Sequence, residues 1–363
     1  MEASPGFSPA LHVRGVVLPE GGQRDLYIVD GHLVSEPVRS AQTVAEGWVV
    51  PGLVDAHCHL GLGPEGGVDR AETERQALAA RGSGMLLARD CGSPVDTRWL
   101  DTRADLPRVI RAGRHLARPR RYIRGLGLEV TPDELPAAAE EQASAGDGWV
   151  KIVVDWIDRD TGDLAPCWPP DALQAAVARA HAGGARVAVH SFSEMALPDV
   201  LAAGVDCIEH GTGVTEDLLA TMVDQGTALV PTLINIDNFP GIADDAGRFP
   251  TYAAHMRALF ATSRQRLLAA FDAGVAVYAG TDAGGSLRHG RLVDEIRALH
   301  AAGLPSEAAL GAASWSARDW LGAGAGLSEG DPADLVVYPA DPRLDLEVLA
   351  HPMRILLRGR VVA

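Results

Sequence analysis

His57 and His59 stand two residues apart at the end of a short apolar run that opens at Pro51-Gly52. Side chains of a strand alternate between its faces, so both imidazoles point the same way, and such a pair can chelate one metal ion. Further polar residues recur where apolar runs end. Lys151 lies within 149–156, His190 closes 186–190, His210 closes 206–210 behind Glu209, and Asp282 follows Gly280-Thr281. Each has an ordinary explanation when taken alone. A histidine can be partly buried and satisfied by neighbours, a lysine can snorkel to a strand end, and an aspartate can cap a helix. Six such groups at the same end of successive strands are costly to bury without a common partner, and together they point to a metal site.

The elements that must position them follow from periodicity. Residues 11–18, 24–29 and 32–34 read as short strands, with Asp30-Gly31 as a hairpin turn and no helical period. From Pro51 onward, continuous apolar strands alternate with amphipathic helices. The strands are expected at 53–59, 85–90, 107–112, 149–156, 186–190, 206–210, 228–234 and 275–280. Helices are expected near 69–81, 131–145, 170–182, 195–203, 215–225, 252–273, 292–302 and 306–321. Uninterrupted apolar strands separated by helices indicate a parallel sheet covered on both faces, and eight such units suggest a closed (β/α)8 TIM barrel over 53–325. An open doubly wound sheet is the alternative, but no G-x-G-x-x-G turn follows the first strand. The tail returns to β character at 334–338, 354–357 and 360–362, so residues 1–52 and 326–363 are expected to combine into one small β-sandwich, with 1–9 as a loose leader.

Composition narrows the function. The 363 residues are 47% hydrophobic and 22% charged, enough to bury a sizeable core. A formal net charge of -16 argues against a nucleic-acid partner, which selects basic surfaces. No apolar run is long enough to span a bilayer, and Met1–Pro9 carries no signal-peptide pattern. The four cysteines, Cys58, Cys91, Cys167 and Cys207, are scattered and form no C-x-x-C pair, which favours free thiols and a cytoplasmic protein.

The ordered set Pro51-Gly52-Leu53-Val54-Asp55-Ala56-His57-Cys58-His59, Trp149-Val150-Lys151-Ile152, Val189-His190, Glu209-His210-Gly211, Gly280-Thr281-Asp282 and Gly330-Asp331-Pro332-Ala333-Asp334-Leu335-Val336 resembles the amidohydrolase superfamily. Within it the chain is most similar to the imidazolonepropionase-like and metal-dependent dipeptidase branch. The resemblance implies two divalent metal ions, of which Zn²⁺ suits the nitrogen and oxygen donors. His57, His59 and Asp282 would hold the first, and His190 and His210 the second. Lys151, carboxylated by CO2, would bridge them as an anionic carbamate. It also implies a metal-bridging hydroxide as nucleophile, with Asp282 moving the proton from water to the leaving nitrogen. Cys58 is expected to pack behind the strand, away from the metals.

On the substrate side, relatives of this branch carry a histidine near His115, and His289-Gly290 resembles a substrate-facing motif. Tyr122 can donate to a carbonyl oxygen. Residues 111–124 hold six arginines, which read either as a solvated loop or subunit contact or as an anchor for a substrate carboxylate. The function implied is hydrolysis of a C–N bond in an amide, peptide-like or cyclic amide small molecule, by a homo-oligomer without nucleic-acid or membrane partners. The alternatives are a mononuclear aminohydrolase or imidazolonepropionase-type enzyme, which has no need of Lys151, and a non-catalytic barrel scaffold, which normally loses ligands.

Overall fold

The computed structural model describes residues 9–324 and 327–363. Residues 1–8 of the leader expected at 1–9 and the 325/326 boundary expected between barrel and tail lie outside the described residues.

Both chain ends enter one seven-stranded sheet. Its order is Arg360–Val361, Arg354–Leu357, Leu335–Tyr338, Gln42–Pro51, Leu11–Val17, Gly22–Val29 and His32–Val34. Leu335–Tyr338 runs antiparallel to Gln42–Pro51, with Val336 opposite Val50. Asp30 and Gly31, at φ 48° and 86°, turn Gly22–Val29 back into His32–Val34, as an Asp-Gly hairpin requires. Leu335–Tyr338 is apolar throughout because both of its faces are covered. Leu335 and Val337 pack with Val13, Leu26 and Val49, whereas Val336 and Tyr338 join the main core.

After Leu53 the strands become parallel. Leu53–Cys58, Met85–Asp90 and Arg108–Arg111 form one set. Leu116–Ala117, Trp149–Val153, Arg186–Ser191, Cys207–His210 and Ala228–Val230 form a second, with Leu128–Glu129 at its outer edge. Helices Arg70–Gly82, Leu135–Ala145, Pro170–Ala182, Leu197–Ala202 and Glu216–Gln225 stand between them in the chain, and Pro250–Asp272 follows the last. Small inward residues, Ala56, Ala112, Ala188 and Ala228, leave room for the Trp149 ring in an inner apolar cluster.

Some expected elements are cut short, for local reasons. Residues 275–280 make a single bridge, Val277 to Leu229, and no regular strand. The backbone still reaches both neighbours: Tyr278 N donates to Leu229 O at 3.0 Å, and Ala56 N donates to Ala279 O at 2.8 Å. The extended run is brief because it leaves a helix at Gly274 and turns at Asp282, φ 55°. The expected strand 149–156 ends at Val153, and Asp155–Asp158 instead forms a hairpin with Asp163–Pro166. The buried Asp155 carboxylate pins that departure, accepting from Phe192 N, Ser193 N and Ser191 Oγ. The run 228–234 stops at Val230, where left-handed Thr232 leads into the helix Leu233–Ile236.

Candidate metal centre

The histidine pair owes its direction to an irregularity. Val54 and Ala56 belong to the inner cluster, and Cys58 to the outer core. Between Asp55 and Cys58 the register against Met85–Asp90 slips. A bulge re-aims side chains, and here it moves the inward positions from even to odd numbers, so that His57 and His59 face the strand ends. Gly280 lets the neighbouring chain approach: a Cβ there would lie 2.6 Å from His57 Cβ.

The sequence-derived residues lie together. His57 Nε2 and His59 Nε2 are 3.3 Å apart. Asp282 Oδ1 is 2.9 Å from the latter and 3.3 Å from the former, and one ligand atom from each of the three residues falls within 4.8 Å of the other two. The His210 ring is 5.1 Å from that of His57 and 4.7 Å from that of His190. Lys151 is buried on the strand beside that of His190, and its charge is felt at His115, His190 and His210.

The second ring nitrogens are spoken for. His57 Nδ1 donates to Glu209 Oε2 at 2.7 Å, and His59 Nδ1 donates to Gly92 O at 2.8 Å. Each therefore turns its Nε2 toward the cluster, the nitrogen that a metal would take. His210 Nδ1 bonds Thr232 Oγ1 at 2.8 Å, leaving its Nε2 open as well. Lys151 Nζ and His190 Nε2 are buried with no partner among the described residues. Leaving a buried amine or imidazole unpaired is costly, so both atoms fit a polar group that the polypeptide does not supply. Burial also pushes the imidazoles of His190 and His210 well below their usual range, into the neutral, ligating form. Burial opposes ionisation of Asp282, but the His57 charge and bonds from His57 and His59 outweigh it and hold the carboxyl well below the usual carboxylate range.

Three non-glycine residues here sit in left-handed backbone: His210 at φ 67°, Thr232 at 47° and Asp282 at 55°. Such conformations cost about 1–3 kcal/mol each and persist where the surroundings fix them.

Arg89, Thr232 and Asn235 escaped the sequence reading, and Glu209 entered it only as part of a motif. Arg89 Nη2 donates to Glu209 Oε1 at 2.6 Å while stacking on Trp149 and Trp320. Thr232 holds His210, and Asn235 Nδ2 donates to Asp282 Oδ2 at 2.6 Å. Charged Arg89 and Glu209 inside apolar strands were visible signals; Thr232 and Asn235 carried none, because their role depends on a turn after Val230.

The substrate-side candidates separate. The His115 ring stacks 5.1 Å from His59, with neither ring nitrogen partnered among the described residues. Tyr122 lies 5.4 Å from His115 and 5.6 Å from His190. His289 reaches only the backbone, its Nε2 3.3 Å from His59 O, and burial pushes it down to about 4. Cys58 is buried with Sγ toward Arg89 O. Cys91 also lies near His57 and Glu209, but burial pushes its thiol up to about 12 and Glu209 is engaged by Arg89. Of the six arginines, Arg111 pairs with Asp101 and Asp147, Arg121 with Asp158, and Arg118 donates to Cys167 O.

A parallel α/β scaffold with imidazoles and a carboxylate converging at its strand ends is the architecture of metal-dependent hydrolases. The sequence model of the amidohydrolase family matches residues 48–362, and the chain belongs to that family. An uncharacterized protein of Mycobacterium tuberculosis (strain ATCC 25618 / H37Rv) is 59% identical over 352 residues, 96% of this chain and 95% of that protein. An imidazolonepropionase of Chromobacterium violaceum is 33% identical over 144 residues, 30% of this chain and 33% of that enzyme. Among solved structures, a Xaa-Pro dipeptidase with methionine bound in its active site superimposes with TM-score 0.81 at 21% identity, covering 97% of this chain and 99% of that one. The fold is thus α/β of the TIM-barrel type, and the protein is a hydrolase of carbon–nitrogen bonds from a generally metal-dependent family. No helix among the described residues is long and apolar enough to cross a membrane.

Proposed function

We propose that this enzyme is a binuclear metal-dependent amidohydrolase that cleaves an amide, peptide-like or cyclic amide bond. The observation that carries this reading is the buried amine of Lys151, without a partner among the described residues, on the strand beside that of His190. In this reading His57, His59 and Asp282 would hold one ion and His190 and His210 the other, and Lys151, carboxylated when its amine adds to CO2 and loses a proton, would supply a further anionic ligand. A carbamate turns an unpaired cation into an anion with two oxygens, which answers the burial cost. When bound, divalent cations such as Zn²⁺ supply Lewis acidity and activate water near neutral pH.

The chain's own groups do the rest. Asp282 Oδ1 accepts a proton from the attacking water and returns it to the leaving nitrogen. Asn235 keeps the other oxygen of Asp282 engaged, fixing which one faces the reaction. Glu209 and Gly92 hold the two histidine rings in their ligating tautomer. His115 and Tyr122 flank the cluster where a substrate amide would lie. The same reading takes residues 53–325 as a closed eight-stranded barrel, supported by the backbone bonds through 275–280, and 1–52 with 326–363 as a β-sandwich; the shared sheet of the two ends supports their union in one domain. A cytoplasmic homo-oligomer acting on a small molecule, without nucleic-acid or membrane partners, completes it. The four cysteines, all free and buried, and the acidic balance support that setting.

A second reading has its own support. The compact group His57, His59 and Asp282 is sufficient for a one-metal enzyme of imidazolonepropionase type. That mechanism leaves the Lys151 amine buried and unused. A screen of dipeptides, N-acyl amino acids and cyclic amides tests the activity. Turnover should vanish on chelation and return with Zn²⁺, Mn²⁺ or Co²⁺; inactivity of fully metallated protein across amides, lactones and phosphoesters would remove the hydrolase reading.

A further inference from the structure

Three of the six clustered arginines are left over from structural duty, and all three face one cavity. Arg114, Arg120 and Arg124, joined by Arg159 from the neighbouring hairpin, line a space of about 810 Å³ with Tyr122. None of the four forms an ion pair with a carboxylate among the described residues. Arg114 donates to Gly127 O at 3.4 Å, and Arg159 donates to Arg120 O at 3.0 Å. The one acidic residue of the lining, Glu129, is occupied by Arg120's backbone N–H at 3.1 Å. Arg120 itself is held at φ 63°, a conformation that a non-glycine residue adopts only when its surroundings impose it. Two contacts thus hold the main chain of Arg120, whose exposed side chain makes no ion pair among the described residues.

The cavity is not isolated. Tyr122 belongs to its lining and also lies 5.4 Å from His115 and 5.6 Å from His190, so one ring separates the arginines from the histidine cluster. Four guanidinium charges face a single carboxylate, on a chain whose net charge is -16. One substrate carboxylate would leave most of that positive charge unanswered. Guanidinium forks are suited to bidentate binding of carboxylate and phosphoryl oxygens.

We propose that this cavity is a subsite for a substrate tail bearing at least two negative charges, whether from carboxylates or from a phosphoryl group. The inference rests on the hydrolase reading for its claim that the ligand is a substrate. The anion site itself does not.

The test is calorimetric titration of the metallated protein with acetate, tricarballylate and inorganic phosphate, repeated on Arg120→Gln/Arg124→Gln. Tricarballylate or phosphate should bind at least about tenfold more tightly than acetate, and the double variant should lose about tenfold or more of that affinity, with metal content unchanged. Higher ionic strength should weaken binding to the wild type more than to the variant. The preferred probe assigns the tail as carboxylate or phosphoryl. Arg159→Gln provides an independent variant, expected to weaken the same probe. Equal affinity for acetate and the multiply charged probes, or affinity unchanged in both variants because the anions sit on the metals, would overturn the proposal. Saturable, arginine-dependent binding by a protein without turnover sustains the subsite and sinks only the hydrolase reading. Turnover of neutral-tailed amides without arginine-dependent anion binding does the reverse.

Discussion

Glu209 grips His57 from behind: its Oε2 lies 2.7 Å from His57 Nδ1, while its Oε1 lies 2.6 Å from Arg89 Nη2. All three side chains are buried, and burial alone would favour a protonated Glu209. The Arg89 charge, with those of Lys151 and His57, overrides it and holds the carboxyl well below its usual range. Arg89 itself packs over the Trp149 and Trp320 rings and donates to Ala56 O. The cation under the inner cluster thereby orients a proposed metal ligand at its top.

Glu209→Gln should lose metal affinity by about 10- to 100-fold, because the His57 tautomer is no longer enforced. It should also destabilise the fold by about 3–5 kcal/mol, since Arg89 is left buried and uncompensated. Urea unfolding with and without metal separates the two effects. Pairing it with Arg89→Met should cost less than the sum of the single changes, because both remove the same ion pair.

Asn235→Ala should lower kcat by roughly tenfold to a hundredfold, the worth of a hydrogen bond to a charged carboxylate, while metal content stays at the wild-type level. Asn235→Asp should be worse, because it sets a second carboxylate against Asp282. Metal analysis alongside steady-state kinetics checks this. Metal loss equal to the loss of activity would assign Asn235 to metal retention instead.

His255, on the Pro250–Asp272 helix, bridges Asp163 and Glu194 at 3.0 and 3.1 Å. Burial lowers its pKa, but the bonds and charges of the two carboxylates win and raise it above the ordinary imidazole value of about 6.5. The folded state therefore holds the proton more tightly than the unfolded chain. This stabilisation is complete below pH 6.5 and is lost as pH rises through the folded pKa. Wild type should gain urea resistance between pH 8 and pH 6, and His255→Gln should show a smaller gain over the same window.

Much of the architecture could be read from the chain because burial leaves a regular trace. Leu335–Tyr338 is an apolar run, and Trp149–Val153 is one apart from Lys151, because both faces are covered, and Asp30-Gly31 announces its hairpin. The convergence of His57, His59, His190, His210, Lys151 and Asp282 was legible because polar groups at the ends of apolar strands have few other reasons to be there. What escaped depends on irregular backbone. Thr232 and Asn235 act through a left-handed turn that no local pattern announces, and Asp155 diverts the chain into a hairpin by bonding a loop far along the sequence. The arginine run looked uniform in sequence. Only three-dimensional partners separate Arg111, Arg118 and Arg121, which hold the scaffold, from Arg114, Arg120 and Arg124, which face the cavity.

The central claim is that Lys151 helps hold a second metal ion. Its most direct test is the number of metal ions per chain in protein prepared with bicarbonate, for wild type and Lys151→Ala. The account predicts two for wild type and one for a folded Lys151→Ala, with the mass of wild-type Lys151 raised by carboxylation in a native measurement. One tightly bound ion in both proteins, with Lys151 unmodified, would contradict it.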